Sequence, residues 1–207
     1  MAWLEKLLRS KAVVVTLIVL PGLWPAWPLL RHDPTVLADP LKYVLHHLGF
    51  VACLLLAIVL TFTPLRVLFP KWGIALALNR HRRLVGVSAF FYAALHFATH
   101  LLYEGGFRVL ASDVTKPFLI SGLLAFAILL VLAVTSLHAA LRWLGGKRWK
   151  NLHRFVYLAA ALAAYHQIYA QKLFPMQVVW IFGPVIVLEI LRILRQRRPK
   201  LTAAATG

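Results

Sequence analysis

Six stretches of this sequence run for sixteen residues or more without an Asp, Glu, Lys or Arg: 12–30, 43–65, 84–103, 117–141, 155–171 and 173–188. A bilayer's hydrocarbon core, about 30 Å thick, is crossed by about 20 apolar helical residues. Only a helix or a closed barrel satisfies its own backbone there. The last two runs are short and need flanking residues or a thinned bilayer. The six runs take up most of the 207 residues, and 61% of the chain is hydrophobic, against about 45–50% in soluble domains. The expected architecture is an all-α integral membrane protein: a six-transmembrane-helix bundle, one domain over 1–207, in a lipid bilayer.

The formal net charge of +17 raises the question of nucleic acid, and its distribution answers it. With the N-terminus inside, the segments 1–11, 66–83, 142–154 and 189–207 are cytoplasmic and hold 18 of the 23 Lys and Arg residues. The outer loops hold the other five: Arg31, Lys42, Arg108, Lys116 and Lys172. This is the positive-inside asymmetry, so the basic residues set topology and no nucleic-acid face is expected. Both termini are expected in the cytoplasm, with the protein multi-pass in its membrane. The first apolar run is long for a leader and lacks a nearby small-residue cleavage site, so it is read as a retained helix. Pro21, Pro25 and Pro28 should loosen its outer half, and Trp24 and Trp27 suit the interface.

Cys53 is the one cysteine, so neither an intrachain disulfide nor an iron–sulfur centre is expected, and no CxxCH motif attaches haem covalently. The acids are as sparse. Asp33, Asp39, Glu104 and Asp113 fall in outer loops, Glu5 is N-terminal, and Glu189 sits at the inner end of the last run within reach of Arg192. No carboxylate lies mid-membrane, which weighs against a proton-coupled transporter.

Nine histidines remain: His32, His46, His47, His81, His96, His100, His138, His153 and His166. A single one is explained by a hydrogen bond to a neighbouring helix; a set at matching depth on separate helices needs more. His96 lies thirteen residues past Arg83 and His166 twelve past Arg154, so both sit about 18–20 Å from the cytoplasmic side. Two neutral imidazoles facing each other between helices can hold a b-type haem by both axial positions. A zinc site would want further ligands.

His153 is thirteen residues before His166, about 20 Å deeper and roughly 140° away on a continuous α-helix. It cannot join the same haem: the readings are a ligand to a second haem, with His138 the best partner, a propionate, flavin or quinone contact, or an interfacial histidine that hydrogen-bonds a lipid headgroup. His46, His47 and His100 crowd the outer end, near propionates or a periplasmic partner. His32 and His81 read as solvated loop residues.

The runs RRLVGVSAFFYAALHF (82–97), KPFLISGLLAF (116–126), TSLHAALRWLGGKRWKNLHRFVYLAAALAAYH (135–166) and DPLKYVLHHLG (39–49) resemble the MsrQ (YedZ) family. These are haem-binding membrane subunits of a periplasmic methionine sulfoxide reductase system, within the ferric-reductase-like transmembrane group. The resemblance implies a non-catalytic electron-transfer subunit with haem b and FMN. Electrons would come from the quinone pool or a cytosolic flavin reductase and pass to a periplasmic molybdenum-dependent, MsrP-like partner that repairs oxidised protein methionine. It implies roles for His96, His153 and His166, with His96 and His166 the axial pair, and for His46. His100 and His138 fall outside the pattern. Related oxidases carry an inner histidine on the third helix where this chain has Arg82 and Arg83. No FMN motif is legible; Arg80, Arg82, Arg83, Lys147 and Arg148 could hold a phosphate by charge. The alternatives are a b-type cytochrome anchoring another respiratory oxidoreductase, a histidine-relay transporter, and a cofactor-free membrane anchor.

Overall fold

The computed structural model describes residues 2–108, 115–171 and 173–204, and among these the only regular structure is helical. Asp113 and Lys172, expected in outer loops, lie outside the described residues. In chain order the helices are α1 (Ala2–Arg9), α2 (Lys11–Leu23), α3 (Ala26–Leu30), α4 (Pro34–Leu37), α5 (Pro40–Leu68), α6 (Gly73–Arg80), α7 (Arg82–Tyr103), α8 (Pro117–Thr135), α9 (His138–Leu152), α10 (Val156–Tyr169) and α11 (Met176–Ala204).

Four are long and apolar enough to cross a bilayer: α5, α7, α8 and residues Met176–Arg197 of α11. The first and fifth apolar runs form shorter helices. Prolines explain the first. Pro25 has no N–H to give to the Pro21 carbonyl, so α2 stops at Leu23 and the chain turns before α3. The Pro21 carbonyl accepts the Trp24 N–H at 3.3 Å and a second hydrogen bond from His47 Nε2 at 2.6 Å. Trp24 and Trp27 are exposed, as an interfacial position requires, and Arg31 sits over the Trp27 ring.

Two sequence expectations are corrected at the other end of the molecule. The fourth run does not continue helically to residue 141: α8 ends at Thr135, and His138 opens α9. α9 is bent at Gly145, whose φ of 70° is a conformation natural to glycine. Between α9 and α10, His153–Phe155 form a 3₁₀ turn. His153 and His166 are therefore not on one continuous α-helix, and the 140° relation between them does not hold.

The core is built around α5. Val51, Leu56 and Phe62 are almost wholly enclosed there, packed with Ala89 of α7, Ala159 of α10 and Phe182 of α11. Asp39 starts α5 by accepting the Lys42 N–H at 3.1 Å, with Pro40 in the first turn. Its other carboxylate oxygen accepts the Tyr103 hydroxyl at 3.0 Å, tying the end of α7 to the start of α5.

The opposite ends of these helices also converge. Glu5 packs on Gly73, Arg82 donates to Thr63 at 3.1 Å, Arg83 donates to the His138 ring at 3.2 Å, and Arg195 donates to the Leu68 carbonyl. The four basic segments thus gather at one end of the bundle. Glu189 is paired there with Arg192 at 2.7 Å, as its spacing suggested, and also accepts the Tyr157 hydroxyl at 2.9 Å.

Candidate functional site

Two helix pairs each suspend one histidine. His96 on α7 turns Nδ1 toward α5, 2.9 Å from the Leu45 carbonyl oxygen. His166 on α10 turns Nδ1 toward α8, 2.8 Å from the Phe118 carbonyl oxygen. A carbonyl can only accept, so each Nδ1 carries the proton and donates. Nε2 is then the unprotonated nitrogen on both rings. A backbone carbonyl on the remote ring nitrogen is the arrangement that fixes the tautomer and orientation of metal-binding histidines.

The two rings lie 6.0 Å apart between centroids, with planes 81° from parallel. Two nitrogen–metal bonds of about 2 Å each, plus the distance from nitrogen to ring centre on either side, require a separation close to this. The expectation of similar depth on separate helices is met in that the rings meet. Among the described residues no group of three or more His, Cys, Asp or Glu side chains is placed to hold a bare metal ion. A two-imidazole set suits a group that brings its own equatorial ligands, as haem does.

Both histidines line a cavity of about 670 Å³, within the range of small-molecule and cofactor sites. Its wall includes Phe97 and Phe126, stacked with centroids 5.1 Å apart, and Cys53. This apolar slot with two free imine nitrogens fits a haem. The polar part of the lining includes Lys42, His46, His100 and Lys116, so His46 shares the cavity with His96 and His166. His47 also lines the cavity but spends Nε2 on Pro21.

His153 stands in a different setting. Its ring stacks on Trp149 at 4.0 Å between centroids, and Nε2 lies 3.2 Å from the Thr135 hydroxyl oxygen. That hydroxyl donates to the Val131 carbonyl at 2.7 Å, so it accepts from His153 Nε2–H. Trp149 Nε1 donates to the Thr135 carbonyl at 2.9 Å, closing the cluster. His138, the expected partner for an inner haem, is held by Arg83 instead. The structure brings His96, His166 and His46 to one cavity, and places His153 and His138 in separate contacts at the basic end.

Residues 48–164 match the family described as ferric reductase like transmembrane component. The protein-methionine-sulfoxide reductase heme-binding subunit MsrQ of Brucella anthropi is 35% identical to the chain over 193 residues, 86% of this chain and 85% of the relative. The chain belongs to the MsrQ family. The MsrQ of Brucella ovis is 34% identical over 201 residues, covering 87% of the chain and 89% of the relative. That of Herminiimonas arsenicoxydans is 42% identical over a shorter 132 residues, 62% of the chain and 59% of the relative. The family match takes in His96 and His153 and stops two residues short of His166.

Four parts of this arrangement were not singled out from the sequence: the carbonyls of Leu45 and Phe118, and Gly49 and Gly122. Each glycine lies four residues beyond its carbonyl and faces the histidine. A Cβ on Gly49 would lie 2.9 Å from His96 Nδ1, and one on Gly122 would lie 2.7 Å from His166 Nδ1. The spacing is readable, but its meaning depends on knowing which helix lies opposite.

Proposed function

We propose that this chain is an electron-transfer subunit that holds one haem b between His96 and His166. It spans the bacterial inner membrane six times with both termini in the cytoplasm. Haem iron supplies a reversible one-electron couple. The protein's part is positional: His96 and His166 would hold the iron through their Nε2 atoms, Phe97 and Phe126 wall the cavity against water, and the backbone carbonyls of Leu45 and Phe118 hold both Nδ1 protons and so fix each ring's tautomer. The observation that carries this reading is the pair of carbonyl-oriented imidazoles converging from two helix pairs on one cavity.

Electrons are taken up at the basic end, near His153, from the quinone pool or through FMN from a cytosolic flavin reductase. They leave at the end bearing His46 and His100 to a periplasmic molybdenum-dependent methionine sulfoxide reductase subunit. Support for this orientation comes from the basic segments gathered at one end, which the positive-inside rule assigns to the cytoplasm; the relatives' names, which call them heme-binding subunits of a protein-methionine-sulfoxide reductase, support the sulfoxide reductase as partner. The test is a reconstituted chain of reactions. Protein in vesicles should show haem bands that are reduced by quinol or flavin reductase and reoxidised when the periplasmic reductase and a methionine sulfoxide protein are added. Failure of reoxidation in the presence of active reductase contradicts the proposed partner.

A further inference from the structure

We infer that Gly49 and Gly122 are positioning residues that set the rotation of the His96 and His166 rings and hold their planes near perpendicular. The inference rests on the haem reading above.

A side chain has to come close to a helix to share one of its carbonyls. The carbonyl of residue i already accepts the N–H of residue i+4, and the Cβ of residue i+4 flanks it. Removing that Cβ opens a groove. Among the described residues this device recurs at three places. Leu45 and Gly49 receive His96, and Phe118 and Gly122 receive His166. Ile18 and Gly22 receive the Tyr92 hydroxyl, which donates to Ile18 at 2.8 Å and occupies the place a Gly22 side chain would take. The repetition shows that carbonyl and glycine act as a unit. The other close approach to a helical glycine is of another kind: Glu5 packs on Gly73 at the start of α6, and a carboxylate has no proton to give a carbonyl, while a Cβ on Gly86 meets only Val59 at 3.9 Å and one on Gly183 only Val179 at 4.0 Å.

The grooves have a consequence beyond packing. A ring pinned by its Nδ1–H and seated by its Nδ1–Cε1 edge against a glycine could not turn freely about a bond from Nε2 to iron. The two grooves belong to different helices, and the rings they hold are 81° from parallel. On low-spin ferric haem, perpendicular axial imidazoles keep the two iron orbitals that overlap with the ligand π-systems close in energy. Parallel rings split them. The first gives a strongly anisotropic electron paramagnetic resonance signal with one large g-value; the second gives the ordinary rhombic signal. The carbonyl bonds also make each imidazole a better donor, which favours the ferric state and lowers the potential.

The experiment is low-temperature electron paramagnetic resonance with a redox titration on the purified wild type, Gly49→Ala, Gly122→Ala and Gly86→Ala. Haem per protein and the visible bands are recorded on the same samples. The wild type is expected to give the strongly anisotropic signal. Gly122→Ala should convert it toward the rhombic form and raise the midpoint potential, because the displaced ring loses its carbonyl. Gly49→Ala should move both in the same direction by less, since its Cβ has slightly more room, and Gly86→Ala should change neither. If Gly122→Ala does not assemble, the wild-type signal and Gly49→Ala still decide. A rhombic wild-type signal, or an unchanged signal in both cradle variants with haem retained, overturns the inference. A wild type whose visible spectrum lacks haem overturns the reading beneath it instead.

Discussion

His96 and His166 face one another with ring centroids 6.0 Å apart and planes 81° from parallel, and each is tied by Nδ1 to the backbone of a different helix. α5 holds one ring and α8 the other, so the spacing of the pair is set by how four helices pack. Membrane helices approach this closely where small residues line the contact, and Gly49 and Gly122 lie at those contacts.

Topology follows from the basic end. Reporters fused at either terminus should be active on the cytoplasmic side, and one inserted within 104–113 should report the periplasm. A periplasmic C-terminus would contradict six crossings, because the same rule orients all four basic segments.

Asp39 has two tasks, capping α5 and accepting from Tyr103. Asp39→Ala should destabilise the protein by about 1–2 kcal/mol, the usual cost of a lost N-cap with some addition for the second bond. Asp39→Asn, which still caps, should recover part of this. Thermal unfolding in detergent checks the order wild type, then Asn, then Ala.

His153→Ala should retain the haem held by His96 and His166 while slowing its reduction by quinol or flavin reductase. Dithionite, which bypasses the natural donor, should reduce wild type and variant alike. A haem-to-protein ratio that falls from two to one would show that His153 ligates a second haem. Unchanged ratio with unchanged quinol-driven reduction would remove both roles.

Thr135→Val tests the same cluster from the other side. It removes the hydroxyl that accepts from His153 Nε2–H, leaving the Trp149 stack in place. Slower quinol-driven reduction with normal haem content is expected, in the direction of His153→Ala and smaller. Rates equal to wild type would mean that the Thr135 bond does not orient His153 for electron uptake.

The membrane character, and the meeting of His96 with His166, were legible because both depend on simple periodicities: charge-free length and 1.5 Å per residue. The pairing of Glu189 with Arg192 was legible for the same reason. What escaped depends on partners distant in sequence. Nothing in FLISG announces that Phe118 will receive an imidazole until α10 is placed beside α8. The position of His153 escaped for a local reason. A 3₁₀ turn at 153–155 breaks the helical phase that links it to His166, and the basic stretch before it folds as α9 around the bend at Gly145.

The most direct test of the central claim is haem content by visible spectrum in His96→Ala and His166→Ala, beside His32→Ala and His81→Ala as controls. Each axial variant should lose most of the haem absorbance of the wild type, and each control should keep it. A full bis-histidine spectrum in both axial variants would contradict the assignment of His96 and His166 as the ligands.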